Sequence, residues 1–343
     1  LIAGAGDFGE LTPEPSKYTD APTKLSQLGD LILCIRATIG NRNWSDKEYC
    51  LGRGVAGLKA KEQKLSQAYL WHWIEHAAPV LKAKGRGATF LQVSKNDIAS
   101  LQIPLPPLAE QKRIAGILDA ADALRAKRRE SLAQLDTLLQ SIFLDMFGDP
   151  VTNPMGWEEC VVGDVTDCIV PGRDKPKSFT GSTPWITTDD LVDLAVTFLS
   201  PKDIGLRPEE IAEVRARVIP KGSVIISCVG DLGISSIAGR DLVVNQQLHT
   251  FQCGDRVNAE FLTFCLPFQK PWMKRRATQT TLPYLNKTNC NSIPIVVPPI
   301  DLQYRFAAIV ESIRQQKASQ RAHLDELDTL FASLQSRAFR GDL

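Results

Sequence analysis

The sequence predicts an α+β fold arranged as a tandem pseudo-repeat. Two globular segments are each followed by a long helix, and the two helices pair as an antiparallel coiled coil. Three observations lead there. Shifting the chain by 192 positions lays Pro106–Phe147 over Pro298–Phe339 with 15 of 42 pairs identical, where ordinary composition gives roughly two or three. The ends of both copies carry apolar residues at threes and fours over some ten turns, the spacing of one helix face. The remaining segments alternate short β-branched runs with loops rich in Gly and Pro, as strands and turns do.

The elements follow in order. Asp30–Ile35 reads as a buried strand and Ser66–Leu81 as a helix. Pro106-Pro107 opens the first long helix, whose stripe is Ile114, Ile117, Ala121, Leu124, Leu132, Leu135, Leu138, Leu139, Ile142 and Met146, and Gly148-Asp149-Pro150 closes it. Residues 151–156 form a linker. Val224–Val229, Leu242–Val244 and Ile293–Val297 read as strands and Ala259–Met273 as one helix. The second long helix carries Phe306, Ile309, Ile313, Leu324, Leu327, Leu330, Leu334 and Ala338, and ends at Gly341. Both stripes are narrow and interleaved with charge, which suits a coiled-coil seam. A helix of about 36 residues is roughly 54 Å long, too long to cover one small domain. Paired antiparallel, two such helices would hold their globular segments at opposite ends. The expected divisions are a first domain over 1–108, a spacer helix over 109–150, a second domain over 151–300 and a second spacer helix over 301–343.

The repeat continues upstream more weakly. Gly29–Leu33 falls on Gly222–Ile226 at a shift of 193, and at 192 Tyr69-Leu70 falls on Phe261-Leu262 and Thr89 on Thr281. Extended to the start, it sets Leu1 near Asp193–Leu194. The first copy is then expected to lack a counterpart of about Trp157–Asp193 and to be N-terminally incomplete.

Composition narrows the classes. With 40 Lys and Arg against 39 Asp and Glu the net charge is +1, which excludes a strongly basic nucleic-acid wrapper and leaves room for local patches. There is no run of apolar residues long enough for a membrane span, and no basic-then-apolar leader is read at the start. Eight scattered cysteines, none in a Cys-x-x-Cys pair, read as reduced thiols of a cytoplasmic protein.

Enzyme motifs fare poorly. Gly4-Ala5-Gly6-Asp7-Phe8-Gly9 matches the dinucleotide glycine pattern, but no strand precedes it and no clear helix follows, so it reads as a loop. His72-Trp73-Ile74-Glu75-His76 has the spacing of two zinc ligands one turn apart. The second copy carries Phe264 and Phe268 there, which favours imidazoles packed on a helix face. No phosphate loop, nucleophile elbow or Asn-Pro-Pro-Tyr-like methyltransferase motif is found. A self-contained enzyme is not expected, and neither a metal nor a cofactor is assigned to this chain.

Basic clusters are more telling. Lys82, Lys84 and Arg86, with Thr89, close the short helix of the first copy. Lys274, Arg275 and Arg276, with Thr278 and Gln279, close that of the second, and Arg173, Lys175 and Lys177 lie in a second-copy loop. Cations are favoured at any helix C-terminus; recurrence at one repeat position tips the reading towards DNA, with Lys and Arg on phosphates and Thr, Gln and Arg in reach of base edges. The balance is 13 bases to 10 acids over 1–108 and 15 to 16 over 151–300, so attraction to DNA rests on these patches, and a partner can add further basic surface.

The segment Ile103–Asp119, with Pro106-Pro107 and Gln111-Lys112-Arg113-Ile114, resembles the signature that opens the central spacer region of specificity subunits of type I restriction-modification systems. Ser141–Pro150 resembles that region's end, and Gln335–Leu343 the family's C-terminus. The resemblance covers nearly the whole chain. It implies two target-recognition domains that each read half of a split DNA sequence, spaced by an antiparallel coiled coil. It implies methyltransferase subunits docked on the assembly, with Gln111, Arg113, Ile117, Leu135, Leu138, Phe147, Gln303, Arg305, Ile309, Leu327, Leu330 and Phe339 as the seam and docking positions. It further implies restriction-translocation subunits, with S-adenosylmethionine, ATP and Mg held only by partners, and a prokaryotic cytoplasmic setting without a membrane. Two other readings stay open at this stage: an orphan or truncated DNA-binding or interaction protein, and the specificity chain of a system that fuses cleavage and methylation.

Overall fold

The computed structural model describes residues 1–172, 174–278 and 281–343. They form two compact units. One comprises Leu1–Ser131 with Gln320–Leu343, the other Leu132–Ser319. Each long helix, Leu108–Phe147 and Ile300–Arg340, contributes a segment to both.

In the first unit, strand Leu31–Cys34 is central to a three-stranded antiparallel sheet, between Arg42–Trp44 and Val55–Leu58. All four of its residues are buried. Leu31 and Leu33 face a core with Tyr69, Trp73 and Ile74 of helix Gln67–Ala83 and Ile114 and Leu118 of the first long helix, while Ile32 packs with Ile2, Tyr49 and Leu51. This two-sided burial is why Leu-Ile-Leu-Cys reads as an uninterrupted apolar run. Phe331, Ala338 and Phe339 of the second long helix complete that core. The helices run antiparallel here: Arg125 bonds Asp328, and Arg113 donates to the Leu343 carbonyl.

The second unit is larger. Its five-stranded sheet runs Thr166–Ile169, Leu248–Cys253, Val224–Ser227, Ser235–Ala238, Ala195–Thr197, antiparallel except for the last pair. A three-stranded sheet has Thr183–Ile186 between Val243–Val244 and Gly205–Leu206, and Glu158–Val161 pairs with Pro294–Val297. The core centres on Phe143, Phe147, Phe261, Phe264 and Phe306, with Phe143 and Phe261 stacked at 5.6 Å and Phe147 and Phe306 edge-to-face at 5.5 Å. Lys317 pairs with Asp136, so the helix segments are antiparallel in this unit too.

Two expectations are corrected. The single helix expected over Ala259–Met273 is three pieces: Ala259–Cys265, a 3-10 turn at Leu266–Gln269, and Lys270–Arg276. The first unit tolerates Pro79 inside Gln67–Ala83, and Pro271 is its repeat equivalent. Only the second copy adds Pro267, which removes another N–H and breaks the helix. The alignment of the N-terminus also moves. Ile2 bridges Leu51 in parallel as Ile186 pairs with Val244, so Ile2 is the counterpart of Ile186 and Leu1 falls on Trp185, not near Asp193. Among its described residues the first unit has no equivalent of strands Glu158–Val161 and Thr166–Ile169, while the stretch after Ile186 does have one. Among the described residues no helix is long and apolar enough to cross a membrane.

Candidate nucleic-acid interface

One framework is built twice. In the first unit, strand Leu31–Cys34 runs into a turn over 35–40 that is latched to a loop over 86–92. The Ala37 N–H donates to the Leu91 carbonyl at 2.9 Å and the Val93 N–H to the Ile35 carbonyl at 3.0 Å. Arg86 and Gln92 exchange backbone hydrogen bonds of 3.0 and 2.9 Å, closing the loop at its base. In the second unit, Val224–Ser227 runs into a turn over 228–233. There Gly230 donates to the Pro283 carbonyl and Leu285 to the Cys228 carbonyl, both at 2.9 Å, and Thr278 donates to the Tyr284 carbonyl at 3.1 Å.

The turn demands left-handed backbone at two places, filled by Ala37 (φ 62°) and Gly40 (φ 101°) in one unit and by Gly230 (φ 76°) and Gly233 (φ 84°) in the other. Alanine is held there at a cost of about 1–2 kcal/mol. At Gly40 a Cβ would lie 2.7 Å from that of Ala78, so a side chain is excluded. The basic clusters give no hint of this turn. The matching spacing of Gly29 and Gly40 with Gly222 and Gly233 is the signal that could have found it.

The predicted basic residues gather around the latched loops. Lys82 is exposed in the last turn of its helix, and Lys84 donates to Ser100 Oγ at 2.8 Å. Arg86, largely exposed, approaches Asp97 at 3.3 Å, and Thr89 sits on the exposed loop. Hydrogen bonds from Ser94, with Arg86 nearby, hold the Asp97 carboxyl below its usual range. Lys274, Arg275 and Arg276 are exposed in the last turn of their helix, and the Arg276 guanidinium lies 5.5 Å from the Trp272 ring. Thr278 Oγ1 accepts the Tyr284 N–H at 3.2 Å, so it helps to build its loop. Arg173 and Gln279 lie outside the described residues.

Lys175 lines a cleft of about 240 Å³ with Asp174, Trp185, Thr187 and residues 245–247. Lys177 stands 3.6 Å from Glu213. The neighbouring segment is tied down by Glu210, which accepts from Ser178 and Thr180 hydroxyls and from the Arg207 N–H. Hydrogen bonds from Ser178, then Arg207 and Thr180, hold the Glu210 carboxyl at about 2. Glu210 was not foreseen from the sequence. In the first unit a cleft of about 680 Å³ is lined by residues 3–6, Arg36, Ala37, Thr38, Asn41, Gly54 and Phe90. The glycine-rich stretch after Ile2 is thus a 3-10 turn in a cleft wall, without a preceding strand.

The seam and docking positions divide. Phe147 and Phe339 are buried, and Ile117, Leu135, Ile309 and Leu327 are half-buried. Leu138 and Leu330 are not in the seam: they are 45% and 49% exposed, and the next residues, Leu139 and Phe331, point inward at 4%. The inward-facing set steps by fours through 135, 139, 143 and 147, which turns position 138 to the flank. Gln111 and Gln303 are likewise not seam residues. Gln111 Oε1 accepts the Ser66 N–H at 2.8 Å and its Nε2 donates to the Lys64 and Pro106 carbonyls, bracketing helix to globular segment. Gln303 does the same with Asn258, Arg256 and Pro298. Arg113 is exposed and pairs with Glu110; Arg305 is exposed. His72 is 1% exposed with Nε2 2.7 Å from Asp119, Glu75 bonds Arg42, and His76 packs 5.1 Å from the Phe339 ring. These three side chains are thereby engaged in packing and pairing.

The comparisons with known proteins fit this architecture. The type I restriction modification DNA specificity domain matches residues 17–135 and again 154–329. The chain belongs to that family. The type I restriction enzyme EcoBI specificity subunit of Escherichia coli is 20% identical over 92% of this chain and 73% of its own length. The provisionally named MjaX specificity subunit of Methanocaldococcus jannaschii is 34% identical over 41% of this chain. The specificity-family match reaches only a third of that archaeal relative's length. Two solved structures share the fold. One comes from work on complex assembly and conformational transition of the type I R-M system (TM-score 0.60, 23% identity, 94% of this chain and 85% of that one). The other is the type I S subunit from M. genitalium (TM-score 0.56, 16% identity, 94% and 86%).

Proposed function

We propose that this chain is the DNA-recognition subunit of a type I restriction-modification complex. Each unit reads one half of a bipartite duplex site. The long helices fix the spacing and offer the docking face for methyltransferase subunits, with restriction-translocation subunits joining the assembly. The observation that carries this reading is the latched turn and loop found at matching repeat positions in both units, each with a cluster of exposed Lys and Arg beside it. Cations there neutralise phosphates without selecting sequence, and the loops bring side chains to base edges.

The chain itself does no group transfer. Methylation requires an adenine turned out of the stack into a methyltransferase pocket, and this subunit's task is to hold that partner in register. S-adenosylmethionine, ATP and Mg belong to the partner subunits, and the assembly works in a prokaryotic cytoplasm.

The test is S-adenosylmethionine-dependent DNA methylation by this chain alone, by the cognate methyltransferase subunits alone, and by both together. Methylation at one bipartite motif is expected only from the mixture. Turnover by this chain alone, or a motif indifferent to its presence, overturns the reading.

A further inference from the structure

We propose that Gln246 reads an adenine in the half-site of the second unit, and that its counterpart Arg53 reads a guanine in the half-site of the first. The proposal rests on the recognition role above and names the side chains that carry it.

The two residues occupy one position in one framework. In the second unit the Asn245 N–H donates to the Ile186 carbonyl at 2.9 Å, the Leu248 N–H to the Asn245 carbonyl at 3.2 Å, and the Cys228 N–H to the Gln247 carbonyl at 2.8 Å. In the first, Gly52 donates to Ile2 at 2.8 Å, Val55 to Gly52 at 3.4 Å, and Ile35 to Gly54 at 2.9 Å. Both turns lead directly into a sheet strand. Between the matched ends stand Gln246 and Arg53, both exposed. Among the described residues neither side chain makes a hydrogen bond or ion pair.

Each turn is two bonds from the basic loop. Cys228 is bonded on both sides: its N–H donates to the Gln247 carbonyl, and its carbonyl accepts the N–H of Leu285, the residue after Tyr284, whose own carbonyl accepts the Thr278 N–H. Ile35 joins Gly54 to Val93 in the same way. In the second unit the turn, through residue 246, shares a cleft with a candidate phosphate contact, Lys175, and in the first, through Gly54, with the guanidinium-bearing Arg36 and with Phe90, the neighbour of Thr89.

Chemistry assigns the bases. A primary amide matches the N6 donor and N7 acceptor of adenine, and a guanidinium matches O6 and N7 of guanine. Gln247 is preorganised beside Gln246: Asn245 Nδ2 donates to Gln247 Oε1 at 2.9 Å and Asn245 Oδ1 accepts the Gln247 N–H at 3.0 Å. That mutual bond leaves Gln246 as the uncommitted amide of the turn. Replacing an Arg that only met phosphate would lower affinity for every sequence alike.

The full chain, as wild type and as Gln246→Ala, Gln246→Arg, Arg53→Ala and Arg53→Gln, would be used to select from a randomised duplex library at fixed salt, followed by sequencing. Each Ala change should relax one position of one half-site by about 5- to 150-fold and leave the other half-site intact. Gln246→Arg should turn an adenine preference to guanine, and Arg53→Gln the reverse. Gln246 and Arg53 are both exposed, and unchanged circular dichroism and melting would show that the variants fold. A wild-type motif that all four variants retain, or a loss spread evenly over all positions, overturns the assignment. If wild type enriches no motif, the recognition role itself fails before any variant is compared.

Discussion

Gln111 and Gln303, 192 residues apart, make the same three hydrogen bonds. The Oε1 of each accepts a helix-capping backbone N–H at 2.8 Å, from Ser66 and Asn258, and each Nε2 donates to two carbonyls. Both side chains are essentially shielded from solvent. The long helix is therefore joined to the globular segment by a polar bracket, which fixes its exit direction where apolar packing alone would permit sliding.

Replacing either glutamine by alanine strands two acceptors and one donor in a dry site. Gln111→Ala or Gln303→Ala should lower stability by about 1–3 kcal/mol or more, seen as a fall in the urea midpoint. The DNA sequence preference should stay as it is, because none of the groups they bond belongs to the latched loops. An unchanged midpoint would show that water replaces the bracket.

DNA affinity should respond to salt through the basic clusters. Arg275→Ala and Arg276→Ala should each weaken binding and reduce the slope of log K against log salt by about 0.9 for each phosphate no longer neutralised. Thr89 or Thr278 changes should shift base preference more than slope. Fluorescence anisotropy over a salt series decides it, and identical slopes for wild type and the Arg variants would reduce the clusters to solvated helix ends.

The long helices should set the distance between half-sites. Four residues added near Arg128, with four near Gln320 to preserve the antiparallel pairing, should lengthen the pair by about 6 Å while keeping the seam facing inward. At about 3.4 Å per base pair, the spacer should grow by one or two pairs with the half-site sequences unaltered. Methylome sequencing of cells carrying the variant and its methyltransferase reads this directly. Active variants with parental spacing would end the ruler idea.

Acid should weaken the second unit through His249. Burial pushes its imidazole down to about 4, partly opposed by the hydrogen bond to Asn291 and helped by Lys287. The unfolded chain binds a proton near pH 6.5, so below that value protonation favours unfolding. The contribution is complete above about pH 6.5 and is lost as pH falls through 4, of order 3 kcal/mol in all. Urea midpoints between pH 4 and 7 should fall for wild type and fall less for His249→Gln. Parallel curves would place the acid sensitivity elsewhere.

The repeat was legible because Leu135-Asp136-Thr137-Leu138 and its copy at 327–330 survive as identical residues, and long helices advertise themselves by period. The seam was legible only to within one residue: Leu138 and Leu139 are adjacent leucines, and the period alone does not choose between them. The sheets were harder. Thr166–Ile169 and Ser235–Ala238 have little apolar alternation: Ser236 is buried with its hydroxyl bonded to Thr197 and the Ala195 carbonyl, and Ser235 is buried by strand pairing with Ile226. Pairing over 25 to 80 residues of chain leaves no local trace. The basic clusters were visible as charge, whereas the turn that holds their loops is made by backbone bonds and left-handed φ, which only the glycine spacing hints at.

The core of the first unit takes Phe331, Ala338 and Phe339 from Gln320–Leu343, which follows the second unit in sequence. A ribosome delivers residues in order, so the unit that holds Leu1–Ser131 cannot close until Gln320–Leu343, made after the whole of Leu132–Ser319, has emerged. The second unit, contained within Leu132–Ser319, has all its strands and both of its helix segments in hand earlier. Until then Tyr69, Trp71 and Trp73 remain partly uncovered on the nascent chain, a window in which chaperone capture or aggregation competes with completion.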